Sequence, residues 1–424
     1  MTSRQTITVL STHPERPAVS SNGCPLNVLL RLNPPPLTGQ RRQRQPVAIA
    51  VVIDRSGSMG GAKLKAARAA ARQLVRQLTP ADRISVISFD DEVRTVVPLS
   101  PPSEAAVARI NRIHSGGSTA LYDGWRAGID SLLQAEGLAG HQKRVLLLTD
   151  GQANVGPTSP SEVVPWVAFA HGQAISTSCI GLGDDYEEQL LTAMAEAGNG
   201  NLLHLSGPQQ LEAIFQAELE ALQLTLGRDL RLRVRLGVGV ALERLVNPID
   251  VGADGWIPLG SLQAGSAPVL ALQLAVAPSA AAAGEVCNLL QVEAQWITPT
   301  GEQQQLEALL RLPVVDPASW AQLPVDPEVQ QEVLLQEAAR QRRLAMDGID
   351  RGDVDSSRSS VQAALHDLQQ APASPETERE QQLLQELLDL IGSDQLTVAR
   401  KVMSSQAFMR ARSRRVRNQD GRAD

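Results

Sequence analysis

The sequence predicts an α/β fold built on a doubly wound, mainly parallel sheet, accompanied by an antiparallel β-sandwich domain and a C-terminal helical module. Three observations carry that prediction. Residues 45–224 alternate short apolar runs with helix-length amphipathic segments. The first run, Val47 to Ile53, holds seven apolar residues without a polar interruption, as strands buried on both faces require. Near Gly227 the period changes to two, and after Pro324 the pattern becomes helical.

In chain order, QTITVL and PLNVLLRLN, between Gln5 and Asn33, read as two short strands. They have no obvious partner in the α/β region. Residues 1–36 are therefore assigned to the β domain, which makes the α/β region an insertion within it. Pro34 to Pro36 and the Arg/Gln run behind them read as a stiff, solvated linker. Within 45–224 the strand candidates are VAIAVVI, RISVISF, VRTVVPL, RVLLLTD, AISTSCIGL and NLLHL. Helices are expected at Ala62 to Leu78, Glu104 to Ile113, Leu121 to Gln134, Ser161 to Ala170, Glu187 to Ala197 and Gln209 to Leu222. In the first of these Leu64, Ala67, Ala71, Leu74, Val75 and Leu78 share one face. Ser103 and Ser161 stand where N-caps belong. Strands alternating with helices of this length imply βαβ units.

Residues 228–316 carry the period-two runs. One long strand is expected from Leu230 to Leu242, with Arg231, Arg233 and Arg235 on its outer face, and further strands at Val269 to Val276, Val286 to Ile297 and Glu302 to Leu312. Gly/Pro turns between them imply an antiparallel sandwich. No aromatic side chains interleave the arginine stripe, so it reads as a solvated face rather than a nucleic-acid surface. Residues 325–412 form the helical module. Asp326-Pro327 opens a helix with Val329, Val333 and Leu334 inward; Val361, Ala364, Leu365 and Leu368 mark a second helix. Leu383, Leu384, Leu387, Leu388 and Ile391 mark a third, ended by Gly392. The arginine-rich end from Arg400 reads as solvated, and residues 413–424 as a basic disordered tail.

Composition narrows the function. The 424 residues are 43% apolar and 20% charged, ordinary for a soluble protein, and the net charge of −7 argues against nucleic acid as the main partner. Cys24, Cys179 and Cys287 lie far apart with no CxxC pair, which suits reduced, buried thiols. The N-terminus lacks a sustained apolar core, so no signal peptide is expected. The most apolar long segment, Ala264 to Gly284, is broken by Gln273 and prolines and is not read as a membrane span. A cytoplasmic location is expected.

The chemistry gathers at the carboxyl end of the first strand, where open α/β sheets bind ligands. Asp54, Ser56 and Ser58 follow the apolar run directly. Two other loops are expected to reach the same edge: GGSTALYDG, which contains Thr119, and RVLLLTDGQAN, which contains Asp150. Together they offer two carboxylates and three hydroxyls, with no His or Cys inside the three motifs. Hard oxygen ligands of low total charge select Mg²⁺, Mn²⁺ or Ca²⁺ over zinc or copper. An ion that the carboxylates do not fully quench keeps affinity for one more anionic ligand, such as an Asp or Glu from a protein partner.

Asp54-x-Ser56-x-Ser58, with Thr119 and Asp150 in these contexts, resembles the von Willebrand factor A (VWA) domain with its metal-ion-dependent adhesion site. The resemblance covers about Val47 to Leu222, and all five motif positions match. It implies a Rossmann-like doubly wound sheet with the metal at its upper edge. It also implies that Ser56, Ser58 and Thr119 are direct ligands and that Asp54 and Asp150 act directly or through water. Asp123 is read as a helix-surface residue. The wider arrangement looks like intracellular bacterial members of the family, which generally act as binding or assembly modules. Some work beside AAA+ ATPases, and nothing in the sequence identifies such a partner. The expectation is therefore a non-enzymatic, divalent-metal-dependent protein-binding module.

Two other readings compete. The Asp-x-Ser-Gly-Ser strand end resembles, in outline, phosphatases of the haloacid dehalogenase type. Those need a second carboxylate two residues after the nucleophile as general acid, and Ser56 stands there instead. No GxxxxGK[ST] phosphate loop, HExxH or GxSxG is present. The remaining alternative is a structural scaffold whose site never binds metal.

Overall fold

Apolar strands that end in polar loops build the sheet on which the site rests. The computed structural model describes residues 8–35, 45–278, 282–393 and 395–411. They belong to two units, one made of residues 37–225 and the other of residues up to 36 together with those from 226. In the first, β4 (Val47–Asp54), β5 (Arg83–Phe89), β7 (Gln142–Thr149), β8 (Ile175–Leu182) and β9 (Asn199–Leu205) run parallel. β6 (Val93–Ser100) lies antiparallel on β5, giving the order β6-β5-β4-β7-β8-β9.

Every residue of β4 is buried. Val47, Ile49, Val51 and Ile53 share a core with α1 (Ala62–Gln77) and α6 (Leu211–Gln223). The alternate residues face α3 (Leu121–Leu133). There Gly128 lies so close that a Cβ would meet Val52 Cγ2 at 2.7 Å, so the helix seats directly on the strand. Truncating a core residue such as Ile49 to Ala costs about 2–5 kcal/mol. α2 (Glu104–Ile110), α4 (Pro160–Gly172) and α5 (Glu188–Ala197) complete the layers. Ser103 caps α2, accepting from the Ala106 N–H at 3.2 Å. The N-cap of α4 is Ser159, not Ser161, because Glu162 three residues later accepts from the Ser159 N–H at 3.2 Å.

The second unit holds two facing sheets. β1 (Val9–Pro14), β3 (Cys24–Asn33), β13 (Val269–Val276) and β11 (Val240–Leu245) form one, in the order β1-β3-β13-β11. β12 (Ile257–Gln263), β10 (Thr225–Leu236), β14 (Val286–Ile297), β15 (Gln303–Val315) and β2 (Val19–Ser20) form the other. Their inner faces meet in a core that includes Leu26, Leu30, Leu272, Leu232 and Val292. β3 pairs antiparallel with β13 along its length, from Arg31↔Val269 to Cys24↔Val276.

The single strand expected from Leu230 to Leu242 is in fact two strands in different sheets. The break falls at Gly237 to Gly239, where a Cβ on Gly237 would lie 1.7 Å from the Asn288 carbonyl oxygen and Gly239 has φ +74°. β12, which carries Gly260 at φ +88° in its middle, had no counterpart in the expected strands.

α7 (Pro317–Gln322), α8 (Pro327–Asp350), α9 (Val354–Gln369), α10 (Pro375–Gly392) and α11 (Leu396–Ala411) follow. Asp326 caps α8 through the Glu328 and Val329 N–H groups, with Pro327 at the first helical position. Val329 and Val333 settle on Leu29, Val246 and Val269 of the sandwich. The chain from Arg400 is not solvated from its start, since α11 includes it. Arg400 pairs with Asp350, and Lys401 is buried. The arginine-rich linker at 36–44 and the tail at 413–424 lie outside the described residues.

Candidate metal centre

Asp54 closes β4 and is fully buried. Its Oδ1 accepts from the Ser56 N–H at 2.8 Å, and its Oδ2 accepts from the Thr149 hydroxyl at 2.6 Å. Thr149 ends β7, the neighbouring parallel strand, so the sheet register sets this contact. The chain then turns through a short 3₁₀ segment, Gly57–Met59, which brings Ser56 Oγ and Ser58 Oγ to 3.2 Å. The Ser58 hydroxyl donates to Asp150 Oδ1 at 2.7 Å. Asp150 is also fully buried, whereas Ser58 is exposed at the rim.

Thr119 is buried beside this string. A Cβ on Gly151 would stand 3.4 Å from Thr119 Oγ1 and 3.6 Å from Ser58 Oγ, so both hydroxyls lie close against the Asp150 loop. The structure thus brings Asp54, Ser56, Ser58 and Asp150 into one hydrogen-bonded string and sets Thr119 against it. Asp123 is exposed on α3.

Several residues that hold this arrangement escaped the sequence reading. Asn154 Oδ1 accepts from the Thr119 N–H at 2.8 Å, and the Asn154 N–H donates to the Thr119 carbonyl at 3.2 Å. Arg55 makes an ion pair with Asp90 at 2.6 Å, and both side chains are nearly inaccessible. The other Asp90 oxygen accepts from the Gly117 N–H at 3.1 Å, and the Asp90 carbonyl accepts from Ala120. Gly116 donates its N–H to the Arg55 carbonyl at 2.7 Å. A Cβ on Gly116 would meet Asp90 Oδ2 at 2.1 Å, and one on Gly117 would meet Asp91 Oδ1 at 2.0 Å. The two glycines are thus what lets the Thr119 loop close on the strand ends. A signal for Asp90 was present: it follows RISVISF as Asp54 follows VAIAVVI. Lys63, near the start of α1, reaches Asp150 Oδ2 at 2.5 Å.

Electrostatically the site is short of positive charge. Burial pushes the Asp54 carboxyl up to about 6, offset in part by hydrogen bonds from Thr149 and Ser56 and reinforced by the neighbouring Asp150 charge. No cluster of three or more His, Cys, Asp or Glu groups suited to a metal occurs among the described residues. The donor set here is instead hydroxyls with two carboxylates, a set of hard oxygens that fits a small divalent cation better than zinc or copper. Each oxygen of Asp54 accepts one hydrogen bond, which fixes the carboxylate's orientation and leaves a lone pair on each oxygen for a cation.

The comparisons with known proteins agree with this architecture. A profile of the von Willebrand factor type A domain matches residues 48–217. The chain is 26% identical over 340 residues to the uncharacterized protein sll0103 of Synechocystis sp., covering 76% of this chain and 78% of that one. It is 24% identical over 283 residues to YfbK of Escherichia coli, covering 60% of this chain and 48% of that one. It is 33% identical over 164 residues to inter-alpha-trypsin inhibitor heavy chain H4 of Bos taurus, covering 37% of this chain and 18% of that one. The chain thus spans about half of the second relative and under a fifth of the third. Among solved structures, a von Willebrand factor type A protein from Catenulispora acidiphila matches with a TM-score of 0.65 at 18% identity, covering 92% of this chain and 91% of that one. The ArnB paralog VWA2 from Sulfolobus acidocaldarius matches with a TM-score of 0.58 at 17% identity, covering 94% and 99%. Residues 48–217 are a von Willebrand factor type A domain within a longer chain.

Proposed function

We propose that this domain is a non-enzymatic, divalent-metal-dependent protein-binding module. Asp54, Ser56, Ser58, Thr119 and Asp150 would hold the ion, Mg²⁺ first and Mn²⁺ or Ca²⁺ as alternatives by the same oxygen chemistry. Bound there, the ion would supply a Lewis-acidic point for an oxygen from outside. The partner group that suits it is an Asp or Glu carboxylate.

The observation that carries this reading is the pair of fully buried carboxylates, Asp54 and Asp150, joined by hydroxyls that end at the exposed Ser58. One cation, Lys63, faces these two carboxylates out of water, which leaves the pair one positive charge short. The hydroxyl of Ser56, where the phosphatase mechanism needs a second carboxylate, speaks against that alternative. Three free, buried cysteines suit a reducing compartment, and no described helix is long and apolar enough to cross a membrane.

The test is a calorimetric Mg²⁺ and Mn²⁺ titration of the full chain beside Asp54→Ala and Asp150→Ala. Saturable one-site binding by wild type, lost in both variants, is expected. Wild type that binds neither ion would return the domain to a structural scaffold.

A further inference from the structure

Lys63 stands where helix electrostatics disfavour it. It is the second residue of α1, at the end where the helix dipole is positive and unsatisfied N–H groups already point outward. No acidic residue shares that first turn, and Gly61 provides no side-chain cap. Its ammonium is instead directed at Asp150 Oδ2, 2.5 Å away; the Lys63 side chain is 32% exposed while that of Asp150 is fully buried. The other nearby cation, Arg55, is already committed to Asp90. Among the described residues, the ion pair that Asp150 makes is therefore with Lys63.

We propose that Lys63 is the charge-setting residue of the metal site, a resident cation that stands in for part of the divalent ion. This rests on the metal reading above. In the metal-free protein its ammonium compensates one of the two buried carboxylates, which keeps the empty site folded. A divalent ion entering beside it meets a like charge and has to compete for Asp150. Once loaded, two carboxylates face a divalent ion and an ammonium, and the site carries one positive charge too many. An anionic group restores neutrality. Lys63 thus weakens metal binding while directing the loaded site towards a carboxylate rather than a neutral oxygen. Because the lysine is partly exposed, it has room to move aside without rebuilding the loop.

The experiment uses the full chain with Mn²⁺ as the probe, comparing wild type, Lys63→Met, Lys63→Gln and Lys63→Arg. Lys63→Met and Lys63→Gln are expected to bind Mn²⁺ about tenfold more tightly or better, since a like charge within a few ångströms is removed. Their metal-free melting temperature should fall while the gain on adding Mn²⁺ grows. Lys63→Arg should keep wild-type affinity. Acetate, as a minimal carboxylate read by water-proton relaxation of the bound Mn²⁺, should bind the loaded wild type more tightly than loaded Lys63→Gln. Equal or weaker Mn²⁺ binding by a folded Lys63→Gln overturns the inference and leaves the metal reading intact. Equal acetate affinity overturns its partner half. A wild type that binds no Mn²⁺ sinks the metal reading and this inference with it.

Discussion

Glu218 and Asp54 are both buried carboxylates in the same α/β unit, and their surroundings could hardly differ more. Glu218 on α6 receives Arg144 at 2.9 Å and the Ser178 hydroxyl at 2.7 Å on one oxygen, and Asn201 Nδ2 on the other. Arg144 is further tied to Ser176 at 2.9 Å. Charge and hydrogen-bond capacity are matched there, with only protein atoms. Asp54 has hydrogen-bond donors but no cation of its own, and burial, with a small addition from the neighbouring Asp150 charge, raises its pKa. A saturated cluster has nothing left to bind and serves the fold. An under-compensated one at a sheet edge keeps affinity to spare, which is what the proposed metal site would use.

Substitutions separate the two clusters. The largest effect is expected from Glu218→Ala, which strands the buried Arg144 guanidinium and destabilises the α/β unit by about 3–5 kcal/mol in urea unfolding. Metal affinity of the protein that remains folded should be unchanged; a matching loss of Mn²⁺ binding would merge the two clusters into one. Next comes Asp150→Ala, which should weaken Mn²⁺ binding by about 100-fold or more while leaving metal-free stability nearly level, because it also relieves crowding around Asp54.

The pH response is the third effect. With its pKa pushed up to about 6, Asp54 binds a proton more readily folded than unfolded. Stability of the EDTA-treated protein therefore falls as pH rises through 6, and the gain on acidification levels off near the ordinary carboxylate value. Between pH 7 and pH 5 the gain is about 1.4 kcal/mol relative to Asp54→Asn, which lacks the titration. Parallel profiles for the two proteins would remove the argument that Asp54 is buried without a counter-charge. The smallest effect belongs to Asn154→Ala: about 1 kcal/mol in stability and about a fivefold loss of Mn²⁺ affinity as the Thr119 loop loosens. If metal affinity holds while stability drops, Asn154 braces the loop without shaping the site.

The α/β unit was legible because its evidence is local. Val47 to Ile53 is short, holds five β-branched residues and runs straight into Asp54, which favours a strand buried on both faces, and the helices between such strands declare themselves by period. Asp54, Ser56, Ser58, Thr119 and Asp150 pointed to one edge because each follows a strand or a glycine loop. What could not be read was which distant groups would pair. Nothing adjacent to Arg55 says that it will meet Asp90, or that Lys63 will turn from solvent to Asp150. The Leu230 to Leu242 run misled for a related reason: its alternation continues through Gly237 and Gly239, and only the close approach of the Asn288 carbonyl shows that the chain leaves the sheet there. In α11 the arginines concealed a helix, because Arg400 finds its counter-ion on α8, fifty positions earlier.

The paired hydrogen bonds between Thr119 and Asn154 have a mechanical consequence. Each residue both gives to and receives from the other, as neighbours in a sheet do, so the two loops are stitched across their span. A pull on either is shared by both. The two loops then act as one stitched unit, anchored to the strand ends through the Ala120 N–H on the Asp90 carbonyl.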